Sequence, residues 1–257
     1  MSEVKLSRKK IEDMKIFQVG VGLILLIESL VIWLLSSTFT LPVTTTYFES
    51  SGVGNSLAHV TREIFRVQTA HILVIFLLVP SIMHLIIALP GVFPKYRQLI
   101  ENKFNPLRWL EYSITAPLMI VLLAMLSGIF DFSTIILLFA VSVSMLLFGA
   151  NMEVINRKLE KVQWSSFIFG SIFGIVPWII IWMHIAGARD ISLIPYYTLI
   201  AFFSLLAFFA FFPLNIFLYY KKIGPWKDYE FVETCFVILS LCSKSALAWQ
   251  VFIGLMG

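Results

Sequence analysis

Long apolar runs alternate with short polar breaks along almost the whole chain, and this pattern predicts the elements before any single residue is weighed. The apolar runs cover about 15–37, 66–89, 106–128, 132–154, 164–187, 193–220 and 229–255. Each reaches the roughly 20 residues that an α-helix needs to cross the hydrocarbon core of a bilayer. The pattern therefore predicts an all-α membrane protein, a seven-transmembrane helix bundle in a single domain over 1–257. Pro80, Pro117, Pro177 and Pro213 fall inside four of the runs. In a bundle, neighbouring groups satisfy the carbonyls that a proline frees, so these positions read as kinks rather than ends.

The connection 38–65 has a different pattern. β-branched and aromatic residues over 38–48 run into Ser50-Ser51-Gly52-Val53-Gly54-Asn55, which predicts a small β-hairpin over one mouth of the bundle. No repeat or low-complexity tract breaks the chain. The first run follows Lys5, Arg8, Lys9, Lys10 and Lys15, as a secretory signal does. It is too long for the apolar part of a signal and has no small-x-small exit, so it reads as a retained helix.

Composition narrows the class. The 257 residues are 59% apolar and 13% charged, against roughly 45–50% and about 25% in soluble domains, and the mean hydropathy is +0.91. No separate water-soluble domain fits beside seven spans. A net charge of +4 could suggest nucleic acid in a soluble chain. Here the basic residues sit in short segments between apolar runs, so the partners they imply are membrane lipids with anionic headgroups, and no nucleic acid.

Fourteen of the nineteen Lys and Arg residues lie before the first span or in the loops holding Lys95, Arg157 and Lys221, whereas Arg62, Arg66 and Arg189 lie on the other side. The positive-inside rule then places the N-terminus in the cytoplasm, the C-terminus outside, and the hairpin in the first extracellular loop of a multi-pass cell-membrane protein. Cys235 and Cys242 share the seventh run, about 10 Å apart along a helix axis, too far to bridge.

Three ionisable residues stand near the middle of spans: Glu28, Glu111 and Lys244. Such groups cost about 2.5–3.5 kcal/mol on insertion scales, so each is a functional candidate. The third and seventh spans run the same way, and side chains lean back toward helix N-termini, which lets the long Lys244 stem reach toward Glu111. Two readings are open. The pair locks two helices together, or Lys244 is the desolvated amine of a Schiff base, which needs a fixed anion beside it once protonated.

Arg108-Trp109-Leu110-Glu111-Tyr112-Ser113 on the third span, and Ser240-x-x-x-Lys244 followed by Trp249-Gln250-Val251-Phe252 on the seventh, resemble the retinal-binding microbial rhodopsins. With the inverted orientation and the long first loop, the resemblance is to the heliorhodopsins and covers the whole chain. It implies all-trans retinal on Lys244, Glu111 as counterion, and Ser240 one helical turn before the lysine. It also implies a polar cavity near the Schiff base that takes in His84 and Arg108. Tyr112, Met145, Trp178 and Phe209 are implied as pocket walls, Phe209 standing four residues before Pro213. Ordinary bundle packing stays open for each aromatic, and a satisfied core histidine stays open for His84.

The chain departs from the family in the first span, where relatives carry a histidine and this one reads Gly22-Leu23-Ile24-Leu25-Leu26-Ile27-Glu28. Glu28 either replaces that histidine in the cavity or is a protonated packing group bonded to a neighbouring helix. His59, His71, His184 and Glu233 show no metal-ligand spacing and read as solvated or interfacial.

The resemblance implies a light sensor with a slow photocycle and a signalling output, a homodimer with an unidentified downstream partner, and not an enzyme. Pumps carry carboxylates where this chain has Ser240 and Leu122, so no ion pumping is expected. Two alternatives stay open: a light-gated proton or ion channel with Glu28 on its path, and a non-photochemical transporter using the Lys244–Glu111 pair. The chain lacks the broken-helix pairs and internal pseudo-symmetry that transporters favour.

Overall fold

The computed structural model describes residues 8–36, 38–50, 57–190, 192 and 194–256. In chain order these form α1 (Arg8–Leu35), β1 (Thr40–Ser50), β2 (Leu57–Gln68), α2 (Thr69–Ile87), α3 (Phe93–Glu101), α4 (Pro106–Leu126), α5 (Phe132–Asn156), α6 (Ser165–Ala186), α7 (Tyr196–Tyr220) and α8 (Tyr229–Met256). Seven of the helices, all except α3, are long and apolar enough to cross a membrane. The chain is a seven-helix bundle with a two-stranded hairpin.

Local chemistry starts two of the spans. Asn105 caps α4 by accepting from the Arg108 amide at 3.3 Å, with Pro106 in the first turn, where its missing N–H costs nothing. Asp131 caps α5 by accepting from the Thr134 amide at 2.9 Å. The helices run through Pro80, Pro117, Pro177 and Pro213. Packing is graded around the bundle. α4 is the most enclosed span and α5 the least, and apolar residues such as Ile16, Leu34, Leu137, Leu147 and Met183 face outward. That is the distribution a lipid-facing surface requires, because the bilayer core solvates them as well as a protein interior does.

The hairpin extends further than its pattern indicated. Antiparallel pairing runs from Thr40↔Gln68 to Ser50↔Leu57, with a register shift between Val43 and Thr44. The second span therefore starts at Thr69 rather than at 66. The apolar run had merged two elements, since Arg66, Val67 and Gln68 still pair in the ladder and the Arg66 side chain donates to Thr40 Oγ1 at 2.8 Å. The expected turn, Ser51 to Asn55, lies outside the described residues. Leu41 and Val43 bury one face of β1 on the bundle, and the Thr44 amide donates to the Phe130 carbonyl at 2.8 Å, fastening the hairpin to the α4–α5 turn.

α3 was not anticipated. It lies in a loop that reads as polar, and at nine residues it carries only Phe93, Tyr96 and Ile100 as a buried stripe. Gln18 of α1 donates to the Tyr96 hydroxyl at 3.0 Å, and burial pushes the Tyr96 phenol up to about 12.

Candidate functional site

α4 and α8 bring Glu111 and Lys244 together. The Lys244 ammonium is 3.1 Å from Glu111 Oε1, and both side chains are almost wholly buried. Lys244 also donates to Ser240 Oγ, one turn earlier on its own helix, and stands 5.0 Å from the Tyr112 ring centre. Glu111 is fixed in turn by Thr115, whose hydroxyl donates to the same oxygen at 2.8 Å. Tyr112 donates its hydroxyl to the Phe236 carbonyl at 2.8 Å, which pins the ring beside the lysine.

The lysine lines a cavity of about 360 Å³, within the ordinary size range of small-molecule sites. Its walls come from α4, α5, α6, α7 and α8, and they include Tyr112, Met145, Trp178 and Phe209. Trp178 and Phe209 meet edge to face at 5.4 Å between ring centres. Two wall glycines let neighbouring side chains approach closely. A Cβ on Gly174 stands 2.9 Å from Met145 Sδ, and one on Gly149 stands 2.5 Å from the Trp109 ring. The lining is apolar apart from a few hydroxyls and one cation, Lys244, which suits a long unsaturated chain ending in an aldehyde.

On the other side of Glu111 lies a small polar cavity lined by Gln18, His84, Tyr96, Asn105, Arg108, Glu111 and Glu233, among others. His84 Nδ1 and Gln18 Oε1 are bonded partners. Since a carboxamide oxygen only accepts, that nitrogen carries the proton in this arrangement. Arg108 pairs with both Glu153 and Glu233, and its guanidinium lies over the Phe236 ring at 4.0 Å.

Of the residues singled out in the sequence, Lys244, Glu111 and Ser240 form one group, and His84 and Arg108 join Glu111 at the polar cavity. Glu28 does not. Its carboxylate accepts from Ser245 Oγ at 2.7 Å and from Trp249 Nε1 at 3.1 Å, so it ties α1 to α8 and is absent from the cavity lining. Of the two readings open for Glu28, these bonds to donors on α8 fit the packing group tied to a neighbouring helix, and the cavity reading finds no contact to support it. Glu233 is a correction. It is 4% exposed rather than interfacial, because Asn105 and Arg108 supply the donors that let a carboxylate be buried. Glu153, at 2% exposure, was also missed. Both stand near span ends, and the available signal was an Arg108 at the edge of the third span with no acid assigned to it.

Seven spanning helices around an apolar cavity lined by a buried, acid-paired lysine are the arrangement of an integral membrane protein of rhodopsin type. The heliorhodopsin family model matches residues 14–256, nearly the whole chain, and the chain belongs to that family. Family membership makes it a rhodopsin-type light-sensing protein and implies retinal as its chromophore. No curated protein matches the chain.

Proposed function

We propose that the chain is a cell-membrane photoreceptor, N-terminus inside, that holds all-trans retinal on Lys244 as a protonated Schiff base with Glu111 as counterion. The observation that carries this reading is the 3.1 Å Lys244–Glu111 pair, whose lysine lines the apolar cavity. Retinal supplies the absorption of visible light and a change of shape on isomerisation. The protein supplies everything that makes the change directional. Ser240 and Glu111 hold the nitrogen from one side, Thr115 keeps Glu111 in place, and Tyr112, Met145, Trp178 and Phe209 exclude water and restrict the chain. His84 and Arg108 border the polar cavity behind Glu111 and tune the field at the pair.

The output is signalling through a slow photocycle to a partner protein, from a homodimer in a lipid bilayer, without ion pumping and without enzymatic activity. Ser240 and Leu122 occupy the slots where pumps place their further carboxylates, and the buried apolar Leu122 has no proton to give. The channel alternative required Glu28 on a conducting path, and its bonds to Ser245 and Trp249 lend that alternative no support.

Membranes containing the chain should gain a visible absorption band when retinal is added, and Lys244→Ala should abolish it. A wash-resistant band in the variant, trapped by borohydride on another lysine, defeats the assignment. In the parent protein, steady illumination should leave the pH of a cell suspension unchanged. An uncoupler-sensitive pH change defeats the non-pumping reading alone.

A further inference from the structure

Next to the Lys244–Glu111 pair, α4, α5 and α8 bury two carboxylates against one guanidinium, and the two are not equivalent. Glu153 is saturated. Its oxygens accept from Arg108 Nη2, from Trp109 Nε1 at 2.8 Å and from the Tyr229 hydroxyl at 3.3 Å, and it lines none of the cavities described above. Glu233 is held on one oxygen only by a neutral donor, Asn105 Nδ2 at 3.0 Å, while its other oxygen meets Arg108 Nη1. Unlike Glu153, Glu233 lines the polar cavity, together with Glu111 and His84.

That cavity, at about 20 Å³, has room for one water, and its lining offers the polar partners that a buried water needs. The charges around it do not balance. Lys244 offsets Glu111, and Arg108 offsets one of its two acids, so one negative charge is left over in a region with little solvent. Buried charges without a full partner are costly, and the cost is removed if the least committed acid binds a proton. From geometry and charge together, we infer that Glu233 is an internal proton-binding site. It takes up and returns a proton through the cavity that it shares with Glu111, while Glu153 stays a fixed anion on Arg108.

Uptake forms an O–H bond on Glu233 as a hydronium ion supplied by the bulk becomes water, the cavity relaying the proton and ending with as many protons as it began. Release is the reverse, and no other group changes its bonding. Glu233 is faced by Arg108, Glu111 and Tyr112 of α4, by His84 of α2 and by Tyr96 of α3, and Glu153 of α5 reaches it through Arg108. Of these, His84 is the rival carrier, because its imidazole lines the same cavity. The site is made of side chains alone and does not rest on retinal being bound.

The test uses the full chain without retinal, in phosphatidylcholine vesicles, followed by infrared spectroscopy across the range of pH that the assembled protein tolerates. Subtracting the Glu233→Gln spectra from those of the parent should leave a carboxylic-acid carbonyl band that grows as the pH falls. The same subtraction with Glu153→Gln should leave only carboxylate bands at every pH. Glu233→Asp, which keeps the acid and changes its length, should shift the band without deleting it, and it serves if the Gln variant does not assemble. The inference is overturned if the Glu233 difference shows carboxylate bands alone across the range, or if the protonation signal disappears in His84→Gln instead. Because no retinal is present, neither result bears on the Lys244 assignment.

Discussion

Between α4 and α8 the interior is written in charges and directed hydrogen bonds: Lys244, Glu111, Ser240, Thr115, Arg108 and Glu233 each hold a named partner. The opposite wall, contributed by α5, α6 and α7, meets the same cavity with Met145, Gly174, Trp178, Phe209 and Pro213, which offer shape and almost no polarity. One side therefore decides where charge sits, and the other decides what fits. A substitution on the polar side should change colour and stability together, whereas one on the apolar wall should change occupancy first.

The largest effect is expected at Glu111. Glu111→Gln removes the anion with little change of shape and leaves Lys244 buried without a charged partner, a loss of about 3–5 kcal/mol when one member of a buried pair is deleted. With retinal bound, the visible band should move to longer wavelength if the imine keeps its proton, and fall into the near ultraviolet if it does not. Added chloride should partly reverse either change if the ion enters the vacated site. An unmoved band and unchanged thermal stability place the counterion elsewhere.

An intermediate effect is expected from the wall. Gly174→Leu sets a side chain against Met145 Sδ, which lies 2.9 Å from the position of a Cβ. Overpacking of this kind costs about 1–3 kcal/mol, equivalent, if all of it falls on the bound state, to about fivefold to 150-fold weaker uptake of retinal in a titration. Whatever band forms should keep its position, since no charge has changed. A Gly174→Leu protein that binds normally at a shifted wavelength breaks the division between the two sides.

The smallest effect belongs to Glu28, which lies on neither side of the cavity. Glu28→Leu deletes the bonds to Ser245 and Trp249, and interhelical bonds of this sort contribute about 0.6 kcal/mol each. Thermal stability should fall by about 1 kcal/mol while the band stays where it was. A clear spectral shift puts Glu28 in electrical contact with the lysine.

How much of this was readable beforehand follows the same division. The spans were legible because crossing a bilayer demands about 20 apolar residues in a row. Lys244 and Glu111 stood out because charge in the middle of such a run is costly. Glu153 and Glu233 did not, since an acid near the end of a span is compatible with an aqueous interface, and only the tertiary fold shows Arg108 drawing both inside. The wall residues could be named by resemblance but not by periodicity, because α7 alone carries Phe202, Phe203, Phe208, Phe209, Phe211 and Phe212 and only some of these face the cavity. Glu28 carried two readings until its partners on α8 were known. α3 escaped because one short buried stripe is indistinguishable from loop composition.

The fastening of the hairpin has a consequence for the order of assembly. The bond from Thr44 to the Phe130 carbonyl, and the parallel bridge from Thr44 to Asp131, join the first extramembrane connection to one that is synthesised only after α2, α3 and α4. Until the ribosome has passed Asp131, β1 and β2 can pair with each other but lack this anchor. The seating of the hairpin thus closes a long loop and reports that the first half of the bundle has been threaded in the correct sequence. A nascent chain stalled before Phe130 should leave the hairpin open to protease, and one stalled beyond α5 should protect it.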